Sequence, residues 1–303
     1  MKEPEPTITV EQAASLYELH EFDLGSSVDH IPAPFLSPDE QERRVSLTRE
    51  KAAAFIEIHR CLNCRFTPVG VVQGTSPESY AAQLPDYVEM GYEHVGIGGL
   101  VFRSDSEIAE ILRGVAGMRK RLGRPLWLHA FGIFRPRLQP LFRELRVTSF
   151  DSASYFRKAW LRSDQNYLGV DGRWYAAVRI PASADPRTRK KLGGKGVSLK
   201  KAEKLEREAL KAVSLYGKKQ LSLRETLQAI LAYDNLVDRS EKTEKDLARA
   251  YEVTLEARSW EKCPCPVCFA LGINVVVFRG SNRNKRRGIH NTWLLFERVR
   301  GNF

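Results

Sequence analysis

The chain of 303 residues is 43% hydrophobic and carries a formal net charge of +11. That composition supports a globular protein with a sizeable core, as one large domain or two modest ones, and the basic balance favours a polyanionic partner. A membrane span is excluded by the lack of any run of about 18 apolar residues. Met1-Lys2-Glu3-Pro4-Glu5-Pro6 has no signal-peptide core, so a cytoplasmic protein is expected.

In chain order, helical spacing predicts a helix over 8–20 capped by Thr9 or Thr7. Phe22 to Asp29 reads as a strand ending in a carboxylate, and Pro32, Pro34 and Pro38 form the next loop. A helix from Ser46 to Leu62 presents Ala53, Phe55, Ile56 and Ile58, and Thr67 to Gly74 is a buried-type strand ending in Gln73 and Gly74. A helix from Pro77 to Met90, a strand from His94 to Leu100, a helix over 105–121 and a strand from Leu126 to Gly132 continue the cycle. After a short helix near 136–144, apolar Leu145, Val147 and Phe150 lead to Asp151, and small Ser152, Ala153 and Ser154 leave room for approach to its carboxylate.

Apolar strands alternating with helices predict a parallel α/β architecture of the (β/α)8 TIM-barrel type. Only five strands are found before residue 155, against the eight a closed barrel needs, so the first strands are missing. Asp29, Gln73, Gly98, Gly99, His129 to Gly132 and Asp151 fall at the C-terminal strand ends, where such folds place their chemistry. Each has a plainer alternative. Both Asp residues suit N-caps or turns, Gln73 and the glycines suit strand-to-helix turns, Phe131 suits a core, and His129 suits a satisfied barrel histidine.

Beyond Ser154 the pattern changes. Arg157, Trp160, Arg162, Tyr167, Arg173, Trp174 and Tyr175 precede a basic loop with Arg187, Arg189, Lys190, Lys191 and Lys195, then helices over 198–215, 221–237 and 242–257. Basic side chains interleaved with aromatics suit a phosphate backbone and unstacked bases; a solvated helical face is the alternative. Arg286 and Arg287 add to the nucleic-acid-binding candidates. Cys263, Cys265, Cys268 and His290 supply a complete tetrahedral set for Zn²⁺, structural because no position stays open. Pro264 and Pro266 stiffen this knuckle, Ile273 to Phe278 reads as a strand, and Asn282 to Arg287 reads as a returning turn. Cys61 and Cys64 have no further ligands nearby and read as core cysteines. The domains expected are 1–154, a partial barrel; 155–258, a basic and mostly helical insertion; and 259–303, a zinc-binding subdomain with a closing helix.

Together these segments resemble the guanine transglycosylase family, the queuine and archaeosine tRNA-guanine enzymes and their DNA-modifying relatives. Val71-Val72-Gln73-Gly74 is similar to the family's V-Q-G segment, Gly98-Gly99-Leu100 to its G-G-L, and Phe150-Asp151-Ser152 to the F-D-C that bears the nucleophile. Asp23-Leu24 with Val28-Asp29 resembles D-I…F-D-E, Leu128 to Gly132 resembles the base-packing segment, and the cysteines with His290 resemble the structural zinc site. The resemblance implies that Asp151 forms a covalent glycosyl intermediate while Asp29 accepts from the guanine edge. It also implies that Gln73 donates to the base, that the amides of Gly98, Gly99 and Leu100 line it, and that Phe131 covers one ring face.

Ser152-Ala153-Ser154, the basic helical insertion and Arg287-Gly288-Ile289-His290-Asn291 look most like the branch that inserts 7-deazaguanines such as 7-cyano-7-deazaguanine into DNA. A tRNA-guanine transglycosylase and a non-catalytic zinc-containing nucleic-acid-binding subunit are the alternatives. The family's D-S-G-G-[FY]-Q segment, bearing the proposed general base, is absent upstream of Asp29. The expectation is therefore a truncated start, a homo-oligomer or another chain supplying that half, or a non-catalytic relative.

Overall fold

The computed structural model describes residues 8–161, 165–237 and 241–301. The chain divides into two units, Met1–Ala153 and Ser154–Phe303.

In the first unit, α1 (Val10–Leu19) is started by a capping box in which Thr9 and Gln12 satisfy each other's backbone amides. Then come β1 (Leu24–Ser26), α2 (Pro38–Cys61), β2 (Thr67–Val72), α3 (Pro77–Ala82), α4 (Leu84–Met90), β3 (His94–Ile97), α5 (Asp105–Leu122), β4 (Trp127–Ala130), α6 (Gln139–Glu144) and β5 (Ser149–Phe150). Helix α2 begins at Pro38, not at Ser46. Ser37 Oγ accepts from the Glu40 amide, and proline at the first helical position forfeits only an N–H that would go unpaired.

The strands form one all-parallel sheet in the order β1-β2-β3-β4-β5. Sequential order is the barrel-type arrangement, but among the described residues the sheet stays open, with β1 and β5 as its edges. The period of two sorts the side chains. Val72, Val95, Ile97, Leu128 and Ala130 pack into one core with Tyr80, Leu84, Ile108, Ile111 and Leu112, and Phe150 packs against it. Each such Val, Leu or Ile side chain removed from water stabilises by about 1.5–3 kcal/mol. The alternate residues therefore occupy the opposite face. Pairing aligns Val71 with Gly96, Gly96 with His129, and His129 with Ser149 across that face.

One cysteine expectation changes here: Cys61, the last residue of α2, is exposed, whereas Cys64 is partly buried against the cluster of Val10, Phe55 and Phe66.

The second unit contains α7 (Ser154–Lys158), β6 (Tyr167–Leu168), β7 (Trp174–Tyr175), β8 (Val178–Arg179), α8 (Pro186–Gly194), α9 (Leu199–Gly217), α10 (Leu223–Val237), α11 (Glu241–Ala257), α12 (Ser259–Lys262), α13 (Pro266–Leu271), β9 (Val277–Phe278) and α14 (Gly280–Val299). Helices α9, α10 and α11 lie close to their predicted positions, whereas the expected basic loop opens with helix α8, started by the Asp185 side chain accepting from the Arg187 and Thr188 amides. The predicted strand from Ile273 to Phe278 is instead a 3-10 turn over Gly272–Val276 followed by the short β9. The predicted turn from Asn282 to Arg287 is the opening of α14. Tyr167, Tyr233, Tyr251, Trp260, Cys265 and Val276 share one core, so the helical region and the cysteine-rich end fold as a single body. No described helix is long and apolar enough to cross a membrane.

Candidate functional site

The strand-end residues of the first unit form a continuous row of contacts. Gln73 Nε2 donates to Asp29 Oδ2 at 2.5 Å, joining the end of β2 to the segment after β1. A Cβ on Gly98 would collide with the Gln73 amide, so glycine is what lets the β3 end approach so closely. Gly99 has φ +70°, a left-handed conformation that favours glycine, and its carbonyl-side neighbour Leu100 is buried in the core. Tyr80 supports the turn by donating from its hydroxyl to the Gly98 carbonyl at 3.0 Å. From β4, Phe131 lies over Gly96, where any Cβ would clash with the ring, and meets His129 edge-on at 4.3 Å between centroids. The row ends at Asp151, whose Oδ1 accepts from the Gly132 amide at 2.7 Å and contacts His129 Nε2 at 3.2 Å.

The two carboxyls are shifted in opposite directions. Burial pushes the Asp29 carboxyl above its ordinary range, and the Gln73 hydrogen bond only partly offsets this. The His129 hydrogen bond holds Asp151 below the usual range against partial burial, with help from the Gly132 amide. Asp151 is therefore ionised and its side chain is 57% exposed, open to a reacting partner. Asp29 is half-buried and protonates more readily.

Gln73 is fully buried, one of its two amide N–H groups is engaged by Asp29, and its Oε1 has no hydrogen-bond partner among the described residues. Gln83 holds the Gln73 carbonyl at 2.8 Å. The role of Gly132, whose amide fixes Asp151, and that of Ser149, whose hydroxyl lies 2.6 Å from His129 Nδ1, escaped the sequence reading. The available signal was the period of two, which puts Ser149 on the Asp151 face opposite His129.

In the second unit, Cys263, Cys265, Cys268 and His290 are all buried, and their ligand atoms lie within 4.8 Å of one another. His290 Nε2 meets the Leu168 carbonyl at 2.7 Å, which turns Nδ1 toward the sulfurs. The Sγ–Nδ1 distances of 3.7, 3.3 and 3.4 Å bracket the edge of about 3.6 Å expected for a tetrahedron with zinc–sulfur and zinc–nitrogen bonds of about 2.3 and 2.1 Å. Cys265 also caps α13, accepting from the Cys268 amide, so the knuckle orders a helix as it gathers ligands. The donor set fits a structural zinc ion.

The basic candidates separate into two kinds. Arg157, Arg187, Arg189, Lys190, Lys191 and Arg286 are exposed, and Arg162 lies outside the described residues. On α8, Thr188 and Leu192 face inward, which turns Arg187, Arg189, Lys190 and Lys191 outward. Arg287 is a correction: it is fully buried, donating to the carbonyls of Ala159, Val275 and Val277 and to Asn284 Oδ1, and cannot meet a phosphate. Its position on the inner face of α14, unpredictable from a supposed turn, explains the difference.

A parallel β/α unit with carboxylates, an amide and an aromatic ring aligned at its strand ends, joined to a unit built on a three-cysteine, one-histidine centre, defines a narrow class of protein. The chain is 35% identical to the DNA-guanine transglycosylase of Salmonella montevideo over 97% of its own length and 72% of that protein's. It belongs to the guanine transglycosylase family. No family model matches the sequence.

Proposed function

We propose that this protein exchanges guanine for a 7-deazaguanine, such as 7-cyano-7-deazaguanine, in DNA through a covalent glycosyl-aspartate. The observation carrying this reading is the Asp151 carboxylate, held ionised and open at the end of the contact row. One Asp151 oxygen attacks C1′ of the target nucleoside as the C1′–N9 bond breaks, and guanine leaves with the bond's electron pair and takes up a proton. The incoming base then loses its N9 proton and forms a new C1′–N9 bond, while the C1′–Asp151 bond breaks and the carboxylate is regenerated.

Asp29 accepts from N1–H and the 2-amino group of the base, with Gln73 fixing the carboxylate and Gly98 and Gly99 allowing close approach. The Gln73 amide keeps a second Nε2 N–H for the base, and its buried, unpaired Oε1 is a polar group that a donor on the base would satisfy. Phe131 supplies an apolar ring face. The target nucleotide must leave any duplex at a cost of a few kcal/mol, which phosphate contacts from Arg157, Arg187, Arg189, Lys190, Lys191 and Arg286 offset. Zinc held by Cys263, Cys265, Cys268 and His290 would order the second unit.

The opposed shifts of the two carboxyls set a pH dependence. Base recognition through Asp29 requires its ionised form, so affinity for free guanine should fall as pH drops through the raised Asp29 value, while Asp151 stays ionised. Calorimetric titration of guanine across pH should place this acid limb above the ordinary Asp value of about 3.9. A limb at or below that value removes Asp29 from base recognition.

The reading is tested by incubating the chain with labelled DNA or tRNA and resolving it on a denaturing gel. A DNA adduct that depends on Asp151 supports it. An adduct on tRNA alone keeps the chemistry and overturns the polymer, and no adduct on either overturns the reading.

A further inference from the structure

We infer that His129 is a positioning residue for the nucleophile, aiming the free oxygen of Asp151 by holding the other. This rests on the reading of Asp151 given above. The His129 imidazole is contacted at both ring nitrogens, by Ser149 Oγ at 2.6 Å on Nδ1 and by Asp151 Oδ1 at 3.2 Å on Nε2. A carboxylate held ionised can only accept, so Nε2 carries a proton and donates to Asp151, while Ser149 Oγ holds Nδ1 from the other side of the ring.

The ring itself is immobilised. Trp127 stacks on it with an interplanar angle of 12° and a centroid separation of 5.6 Å, and Phe131 closes the other side. Trp127, His129 and Phe131 alternate along one face of β4, so the strand's own geometry builds the clamp. The Gly132 amide reaches the same Oδ1 at 2.7 Å. Two donors on one oxygen fix the carboxylate plane and leave Oδ2 as the atom presented to C1′. A satisfied core histidine would not need to sit between a hydroxyl and an exposed, ionised carboxylate.

The test uses single-turnover adduct formation on DNA with the full chain. His129→Phe keeps the packing and removes both hydrogen bonds. Adduct formation at saturating DNA should slow by about a hundredfold while the half-saturating DNA concentration is unchanged, as for a misplaced reacting group. His129→Gln places an amide N–H near the Nε2 position and should recover the rate to within about tenfold of wild type. Nitrogen-15 spectra should show a proton on Nε2 and a shift of that nitrogen in Asp151→Asn, whether or not the variants turn over.

A His129→Phe variant as fast as wild type, or a ring protonated at Nδ1 instead, overturns the inference. A wild-type chain that forms no adduct instead overturns the assignment of Asp151 as nucleophile, so the two failures are distinguishable.

Discussion

Asp151→Asn is expected to reduce base exchange by at least a thousandfold, roughly the loss seen when a covalent nucleophile is removed, while DNA binding stays intact. The substitution is close to isosteric. The introduced amide keeps a side-chain oxygen that can still accept from the Gly132 amide and His129, so the strand end keeps its shape. What disappears is the charge and the oxygen lone pair that the proposed mechanism directs at C1′. Binding survives because the exposed basic side chains that would meet phosphates are on other elements of the chain, most densely on α8.

Stability should change by less than about 1 kcal/mol, since the side chain is more exposed than buried. The sign of its pH dependence is fixed. A depressed carboxyl pKa contributes stability above the ordinary value and loses it as pH falls through the lowered one, so the variant should show a flatter acid limb in thermal melts. Kinetic assays with gel-shift titrations decide the matter. Exchange persisting near wild-type rates would remove Asp151 from the chemistry.

The first unit was legible because its strands are apolar runs punctuated by polar or glycine ends, and a parallel sheet buries such runs on its helix-facing side. Asp29, Gln73, Gly98, Phe131 and Asp151 could be picked out as strand-end residues on that basis. Their partners could not. That Gln73 engages Asp29, and that His129 meets both Ser149 and Asp151, depends on register between strands far apart in sequence.

The closing helix was expected, but the early start of α14 was missed for a different reason. Its buried face is largely polar, with Asn284, Arg287, Gly288, His290, Asn291, Leu294 and Leu295 at helical spacing. Gly288 is there because Phe156 leaves no room for a Cβ. Asn291 ties the helix to the backbone of Tyr155, Asn166 and Leu168. A hydropathy pattern sees glycine and asparagine as turn residues, whereas here they pack a helix against backbone carbonyls and amides. Arg287 was taken for a phosphate contact on the same ground.

Cys265→Ser should abolish metal binding and unfold the second unit as a body. Cys265 is fully buried, accepts from the Cys268 amide and shares a core with Tyr167, Trp260 and Val276, so the ligand set and the hydrophobic core are one structure. Structural zinc contributes about 10–16 kcal/mol of apparent binding energy in small domains. That rivals the entire stability of a typical domain, about 5–15 kcal/mol, and a serine hydroxyl cannot replace the lost thiolate.

Thiol and imidazole ligands must give up their protons to bind a metal. Hydrogen bonds from Cys263 and Cys268 draw the Cys265 thiol far down, while those with Cys263 and Cys265 push Cys268 far up. Burial opposes a charged His290, yet its contacts with Cys263, Cys265 and the Leu168 carbonyl push it up to about 9. Metal uptake must expel these protons, so acidification should release the ion and lower the melting temperature together. Elemental analysis and thermal melts, with exposed Cys61→Ser as the control, test both points. Metal content unchanged in Cys265→Ser would remove the zinc assignment. Metal lost without any fall in stability would show that the second unit holds together through its aromatic core alone.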